Sequence, residues 1–342
     1  MIFQAHSASD PKFGPVGRIS SEATVAFARL VAARRLHPDT AVTCRARSDG
    51  AGQQAIAVVS AMMLARYAGC RYRHTPFVSM AHAEGGREQW AARWERFYNL
   101  GDGAVPIPAD AELVTLSAVV ADPAAYAGRP VVVAEPLFHL PHEAAIEVGE
   151  ALRADLRARY WRSPKDGIAS HRASRGLTVA IHLRRGDVNP QRNRHLYVPD
   201  TAMLRQIGRV RRALAPIAGP LTFKLYTEGD AADFRAFAEA GCALHIGSDP
   251  FETLHNMVTA DVLIGTPSNF SYIAGLLSRG IMVDARPHKV MLKNWVRRNG
   301  KRDVPIRHLR RALAQRLAWP ERCAYRLRLW WQRVARVAGA GA

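Results

Sequence analysis

The segment from His182 to Asp187, HLRRGD, concentrates side chains that bind anions. It lies at the end of an apolar, β-rich run, Leu177–Leu183. The two-residue period of a strand places His182 and Arg184 on one face and Arg185 on the other. Because a guanidinium pairs bidentately with phosphate oxygens, we predict that Arg184 binds phosphate. We further predict that Arg185 and Asp187 pair with each other and brace the loop. His182 fits a ligand site and a buried structural histidine equally well.

Polar, glycine-containing turns follow three further predicted strands. These turns cover residues 226–230, 247–250 and 265–271. Ligands of open parallel sheets bind beyond the carboxyl ends of the strands, where these turns would converge. Ser268, Asn269 and the first N–H groups of the following helix predict a second phosphate site, which is compatible with Ser268 capping that helix. Asp249 is placed to accept a hydrogen bond from a base or ribose.

The elements that position these residues alternate regularly. From Leu177 onward, short apolar strands alternate with helices of about ten residues, which favours a parallel, Rossmann-like sheet. The first half predicts a second α/β domain, with strands over 41–46, 113–116 and 131–134 and helices over 53–68 and 144–159. We predict an N-terminal α/β domain over 1–165 on the acceptor side, a C-terminal Rossmann-like donor domain over 166–300, and a basic amphipathic helical tail over 301–342.

Positive charge is concentrated in that tail. The chain carries a net charge of +19, and residues 297–336 hold twelve Arg and one Lys against Asp303 and Glu321, or +11. Apolar and Trp residues among arginines suit an anionic membrane surface, although a helix packed back on the domains explains the pattern too. A nucleic-acid binder is a weaker alternative, because no recognisable nucleic-acid module appears. We expect no specific nucleic-acid partner.

The compartment is predicted from the cysteines and the hydropathy. Four scattered cysteines without metal-ligand spacing are typical of thiols in a reducing compartment. The N-terminus lacks the pattern of a signal peptide, and no apolar run reaches the roughly 20 residues of a spanning helix. We therefore expect a cytoplasmic protein, located in the cytosol or peripherally on the inner face of the membrane.

Three segments in order resemble the metal-independent fucosyltransferase superfamily. The segment HLRRGD is similar to its HxRRxD motif, residues 249–277 to its last donor-site block, and residues 48–68 to its N-terminal glycine-rich turn and helix. The group includes bacterial α-1,2-fucosyltransferases, nodulation and core α-1,6-fucosyltransferases and protein O-fucosyltransferases. The resemblance covers the C-terminal half and one N-terminal loop.

The resemblance implies a fold, a donor and a reaction. It implies two Rossmann-like domains facing each other across a cleft (GT-B-like) and an inverting transfer from a GDP-sugar, in particular GDP-fucose, without an obligatory metal or cofactor. The acceptor would be a glycan or lipid-linked glycan of bacterial surface polysaccharide or oligosaccharide synthesis. By matching position, Arg184 would contact the β-phosphate, Asp249 would lie near the guanine, and Ser268, Asn269 and Ser271 would line the diphosphate.

The general base is not identified by the resemblance. The core α-1,6 branch has a Glu shortly after the motif, whereas residues 188–194 here (VNPQRNR) contain no carboxylate. Asp49, Asp187 and Glu84 are the candidates, and a transfer that relies on leaving-group stabilisation alone is an alternative. We assign the catalytic roles to Arg184, Asp49 and Asp187, and keep Arg185 among the donor-binding candidates.

A metal-dependent transferase is the alternative enzyme class. Such an enzyme would present a DxD motif at a strand end to hold Mg²⁺ or Mn²⁺, and the chain has no DxD. Glu228 and Asp230 are the nearest approach at a strand end. Activity in EDTA separates the two classes.

Overall fold

The computed structural model describes residues 21–81, 83, 85–171, 173, 176–215, 220–284, 292–293, 295–297 and 309. The chain divides into two compact units, Met1–Leu152 and Arg153–Ala342. The division falls inside a long helix, whereas the sequence-based boundary at residue 165 lies after the end of that helix. That the two units face each other across a cleft stays a prediction.

Unit 1 is built around a five-stranded parallel sheet. Its elements in chain order are α1 (Ser21–Ala32), β1 (Ala41–Cys44), α2 (Ala51–Ala68), β2 (Arg71–His74), α3 (Arg87–Tyr98), β3 (Val105–Pro106), β4 (Leu113–Val114), α4 (Leu116–Ala121), β5 (Val132–Glu135) and α5 (His142–Arg162). The strand order is β3-β2-β1-β5-β4. The chain therefore changes direction across the sheet between β1 and β5, which is where open parallel sheets bind ligands.

Unit 2 contains a six-stranded parallel sheet. Its elements are β6 (Leu177–Leu183), α6 (Asp200–Leu214), β7 (Leu221–Thr227), α7 (Arg235–Glu239), β8 (Cys242–Ile246), α8 (Pro250–Thr259), β9 (Val262–Gly265), α9 (Asn269–Leu277), β10 (Ile281–Asp284) and β11 (Val296–Arg297). The strand order is β11-β10-β9-β6-β7-β8, the doubly wound order of Rossmann folds. The switch point lies between the neighbouring strands β6 and β9.

The central strands of unit 2 are buried on both faces. Val179, Ile181 and Leu183 of β6 are completely buried, and Ile207 and Val210 of α6 pack into the same core. Strands covered on both faces read as continuous apolar runs, so β6 is recognisable from its sequence alone. This packing fixes the end of β6, and with it the start of the HLRRGD loop.

The predicted class of two parallel, Rossmann-like α/β domains is confirmed by both sheets. Some predicted elements differ in detail. The helix expected over 231–240 is a 3₁₀ turn, Ala231–Phe234, followed by the short α7. The strand expected over 113–116 ends at Val114, because the side chain of Thr115 accepts a hydrogen bond from the Ala118 N–H and caps α4.

The predicted amphipathic tail lies outside the described residues except for Leu309. Leu309 is buried in the core of unit 2, packed with residues of β6 and α6. Within the described part of the chain, no helix combines the length and apolar character needed to cross a membrane.

Candidate anion site at the switch point of unit 2

The loops that follow β6 and β9 are joined at the switch point. The backbone N–H of Arg184, the first residue after β6, donates to Thr266 Oγ1 over 3.3 Å. Thr266 is the first residue after β9 and is almost completely buried. The HLRRGD loop and the amino end of α9 thus begin side by side, as the strand-end prediction required.

Arg184 forms a two-point ion pair with Asp187. Its Nε donates to Asp187 Oδ1 over 2.9 Å and its Nη2 to Asp187 Oδ2 over 2.5 Å. Both side chains are about one third exposed, and Nη1 of Arg184 forms no hydrogen bond within the described residues. Asp187 therefore fixes the plane of the guanidinium and leaves one amino group for a ligand.

The predicted pairing of Arg185 with Asp187 is wrong. Arg185 instead forms an ion pair with Asp200 at the start of α6 and donates to the carbonyl of Val198 over 2.9 Å. Its guanidinium also lies over the ring of Tyr197, 4.6 Å from the centroid. The reason is that Arg184 already binds Asp187, while Asp200 at the start of α6 lies within reach of Arg185. Arg185 braces the connection to α6, and its role in donor binding stays a prediction.

His182 connects β6 to the first turn of α9. Its Nδ1 lies 2.5 Å from Ser271 Oγ, and Phe270 lies beside its ring at 5.8 Å between centroids. Burial, together with the positive charge of Arg184, lowers the pKa of His182 from 6.5 to about 4. The imidazole is therefore neutral near pH 7, and it acts as a hydrogen-bonded link between the two halves of the site.

The amino end of α9 forms the other half. Ser268 caps the helix by accepting from the Phe270 N–H over 3.2 Å, while Asn269 begins it and Ser271 is completely buried. The first N–H groups of a helix and its dipole favour an anion at this end. Ser268 is thus confirmed as a cap. Diphosphate contacts by Ser268, Asn269 and Ser271 stay predictions.

Asp249 caps a different helix. Its Oδ1 accepts from the N–H groups of Phe251 and Glu252 over 2.8 and 3.0 Å, which begins α8. This cap accounts for the sequence Asp-Pro at 249–250 without any ligand. The predicted contact of Asp249 with a base or ribose stays a prediction.

The acidic turn after β7 has a structural role. Asp230 Oδ1 accepts from the Ala232 N–H over 3.0 Å and caps the following 3₁₀ turn. Gly186 has a φ of +68°, and a Cβ at this position would collide with the carboxylate of Glu228. Among the described residues, no group of three or more His, Cys, Asp or Glu side chains is arranged to hold a metal ion.

The remaining predicted site residues lie in unit 1 or outside the residues that the structure describes. Arg47 contacts both carboxylate oxygens of Asp49 in the loop after β1. Gln54, which is buried, donates to the carbonyls of Asp49 and Ser79 over 2.7 and 2.8 Å and fixes this loop. The second Gln of the Gln53-Gln54 pair thus has a structural role. Glu84 is not among the described residues.

Sequence reasoning missed a polar chain in unit 1. His74 lies at the end of β2. Its Nδ1 forms a hydrogen bond with the Tyr72 hydroxyl over 2.8 Å, and its Nε2 forms one with Glu95 Oε1 over 2.7 Å. Glu95 Oε2 also accepts from the Phe77 N–H over 3.0 Å. No local sequence pattern signals this series of hydrogen bonds, because Glu95 lies in α3, 21 residues after His74.

Comparison with known proteins finds likeness only among solved structures. No model of a known protein family matches the sequence, and no curated protein matches it. A crystal structure of POFUT1 in complex with GDP is 11% identical, with a TM-score of 0.35, and the match covers 72% of this chain and 97% of that chain. NodZ α-1,6-fucosyltransferase co-crystallised with GDP is 14% identical, with a TM-score of 0.36 and coverage of 70% and 93%. Fucosyltransferase NodZ from Bradyrhizobium is 12% identical, with a TM-score of 0.35 and coverage of 70% and 94%. The likeness is remote and does not by itself assign a function.

Proposed function

We propose that the chain is an inverting, metal-independent glycosyltransferase that uses a GDP-sugar, and specifically GDP-fucose, as its donor. One observation carries the proposal. Arg184 and the amino end of α9 lie side by side at the switch point of unit 2, joined by the contact of the Arg184 N–H with Thr266. The HxRRxD resemblance of the same segment supports the choice of donor.

This arrangement suits the departure of a nucleoside diphosphate. When the glycosidic bond to the donor breaks, negative charge grows on the β-phosphate. In this proposal, Nη1 of Arg184 and the N–H groups at the start of α9 bind the phosphate and stabilise that charge, which is supported by the contact between the two loops that carry them. A charge-assisted hydrogen bond contributes roughly 1.5–3 kcal/mol, so a few of them lower the barrier substantially.

Among the described residues, both candidate bases for the proton of the acceptor hydroxyl are paired with an arginine. Both oxygens of Asp187 are bound by Arg184, and both oxygens of Asp49 are contacted by Arg47. Each of these two carboxylates is therefore already engaged by an arginine side chain. We therefore propose a transfer that depends on stabilisation of the leaving group, in which the proton of the acceptor hydroxyl passes to the departing diphosphate or to water. Asp187 is a positioning residue for Arg184.

The acceptor is proposed to be a glycan or lipid-linked glycan, with the basic tail on an anionic membrane. Leu309 takes no part in membrane contact, since it is buried in unit 2. The rest of the tail is tested by flotation with anionic liposomes, comparing the full chain with a chain truncated after Lys301. Equal flotation of the two contradicts membrane docking by the tail.

A nucleotide screen tests the donor assignment. Thermal shifts are measured with GDP, UDP, ADP and CDP, each with and without EDTA, and transfer or hydrolysis of GDP-fucose is followed in parallel. We expect GDP to stabilise the protein most, and EDTA to change neither the shift nor the turnover. Stronger stabilisation by UDP contradicts the choice of donor, and loss of turnover in EDTA contradicts the metal-independent mechanism.

A further inference from the structure

The loop between β6 and α6 presents free positive charge beside the proposed donor site. Arg192, Arg194 and His195 are all exposed in this loop. Neither arginine takes part in an ion pair with any described residue. The carboxylates at the two ends of the loop are already used, since Asp187 is bound by Arg184 and Asp200 by Arg185.

The loop is held in one conformation by its own asparagines. Asn189 Oδ1 accepts from the N–H groups of Gln191 and Arg192 over 3.0 and 2.7 Å, and the Asn189 N–H donates to the Arg192 carbonyl over 2.9 Å. Asn193 has a φ of +57°, in the left-handed region that Asn tolerates better than most residues. The backbone that carries both arginines is therefore ordered before any ligand binds.

The same loop is tied directly to the residue that orients Arg184. Nδ2 of Asn193 donates to the carbonyl of Asp187 over 2.9 Å. The basic loop and the Arg184–Asp187 pair thus belong to one hydrogen-bonded unit at the carboxyl end of β6. A second anion bound at Arg192 and Arg194 would lie next to the donor and outside the switch-point site.

We propose that Arg192 and Arg194 form an acceptor subsite that selects an acceptor carrying an anionic group, either a phosphate or a carboxylate. This proposal rests on the proposed glycosyltransferase function. Exposed charges that no carboxylate in the described part of the chain neutralises attract anions over about 8–10 Å at physiological salt. A neutral glycan would gain nothing from them.

The test uses three probes on the full chain. They are N-acetylglucosaminyl diphosphate on a farnesyl chain, tri-galacturonate, and the neutral octyl glycoside of N-acetylglucosamine. Binding is titrated with and without saturating GDP, in wild type and in the double variant Arg192→Ala/Arg194→Ala. The control double variant, Arg205→Ala/Arg235→Ala, removes two exposed arginines from helices of the same unit.

We expect at least one anionic probe to bind wild type about tenfold more tightly than the neutral probe. That probe should lose this advantage in the Arg192/Arg194 variant, keep it in the control variant, and bind more weakly as NaCl is raised. The probe that responds identifies the anion as diphosphate or carboxylate. GDP affinity should be the same in both variants.

Three results overturn the proposal. The first is equal binding of all three probes by wild type, and the second is an equal loss of affinity in the control variant. The third is loss of GDP affinity in the Arg192/Arg194 variant, which would reassign the two arginines to the donor. Failure of wild type to bind GDP, with anion binding at the loop intact, would instead count against the proposed donor.

Discussion

Arg184 and Asp187 form a bidentate pair at the end of the first strand of unit 2, with N–O distances of 2.9 and 2.5 Å. The pair uses Nε and Nη2 of the guanidinium and leaves Nη1 for a ligand. An arginine held in its binding orientation loses less side-chain entropy when it binds phosphate. The pair therefore prepares the site, and Asp187 affects the donor through Arg184.

Replacement of Asp187 tests this positioning role. In Asp187→Ala, Arg184 loses its fixed orientation, and we expect GDP to bind about tenfold more weakly, in the range found when a supporting partner of a binding group is removed. Calorimetric titration measures the change. Asp233→Ala, which removes an exposed carboxylate elsewhere in unit 2, should leave the affinity unchanged. Tighter GDP binding by Asp187→Ala would show that Asp187 competes with phosphate.

Gly186 is required for its left-handed backbone conformation. Its φ of +68° disfavours a side chain, whereas the Glu228 carboxylate that a Cβ would meet is the far end of a flexible side chain and can move aside. We expect Gly186→Ala to lower the free energy of unfolding by about 1–3 kcal/mol, measured by urea denaturation. Gly167→Ala should cost about as much, because Gly167 has a φ of +75° and open space around it. Gly186→Ala should cost the same in a Glu228→Ala background as in wild type.

A clearly larger loss of stability in the Gly186 variant than in the Gly167 variant would contradict this assignment. Relief of that extra loss in the Glu228→Ala background would show that the Glu228 carboxylate cannot move aside.

His182 makes stability depend on pH in a defined window. Its pKa is lowered from 6.5 to about 4, so between these values the unfolded chain binds a proton that the folded chain does not. Stability therefore rises with pH through this window, is fully present above about pH 6.5, and falls as the pH drops toward 4. We expect the free energy of unfolding of His182→Gln to depend less on pH between 4.5 and 7 than that of wild type. Parallel pH profiles of the two proteins would contradict this assignment.

The α/β architecture was readable from sequence because its strands are buried on both faces. The apolar run of β6 and the polar turns after β6 and β9 predicted which residues meet at the sheet edge, and the contacts of Arg184 with Thr266 and of His182 with Ser271 agree with that. The first half was harder to read. Strand β2, RYRH, carries two arginines and is only partly buried, so it lacks the apolar signal of a strand.

The partners of the side chains were less predictable from sequence than the positions of the residues at the ends of the strands. Asp187 follows Arg184 by three residues and Arg185 by two, and the choice between them depends on Asp200, a residue of the next helix. The Asp-Pro pair at 249–250 is a visible signal for the cap formed by Asp249, whereas the contact of Asp249 with a ligand stays a prediction. Partners separated along the chain, such as His74 and Glu95, leave no local pattern at all.

The most direct test of the central claim is GDP binding by Arg184 variants, measured by titration calorimetry at fixed ionic strength. We predict that Arg184→Ala lowers GDP affinity at least about tenfold, because it removes a charge-assisted contact of roughly 1.5–3 kcal/mol. Arg184→Lys should restore little of it, since an ammonium lacks the planar fork that Asp187 orients. Arg235→Ala should bind GDP as wild type does. Unchanged GDP affinity in a folded Arg184→Ala protein would contradict the assignment of the switch point as the donor site.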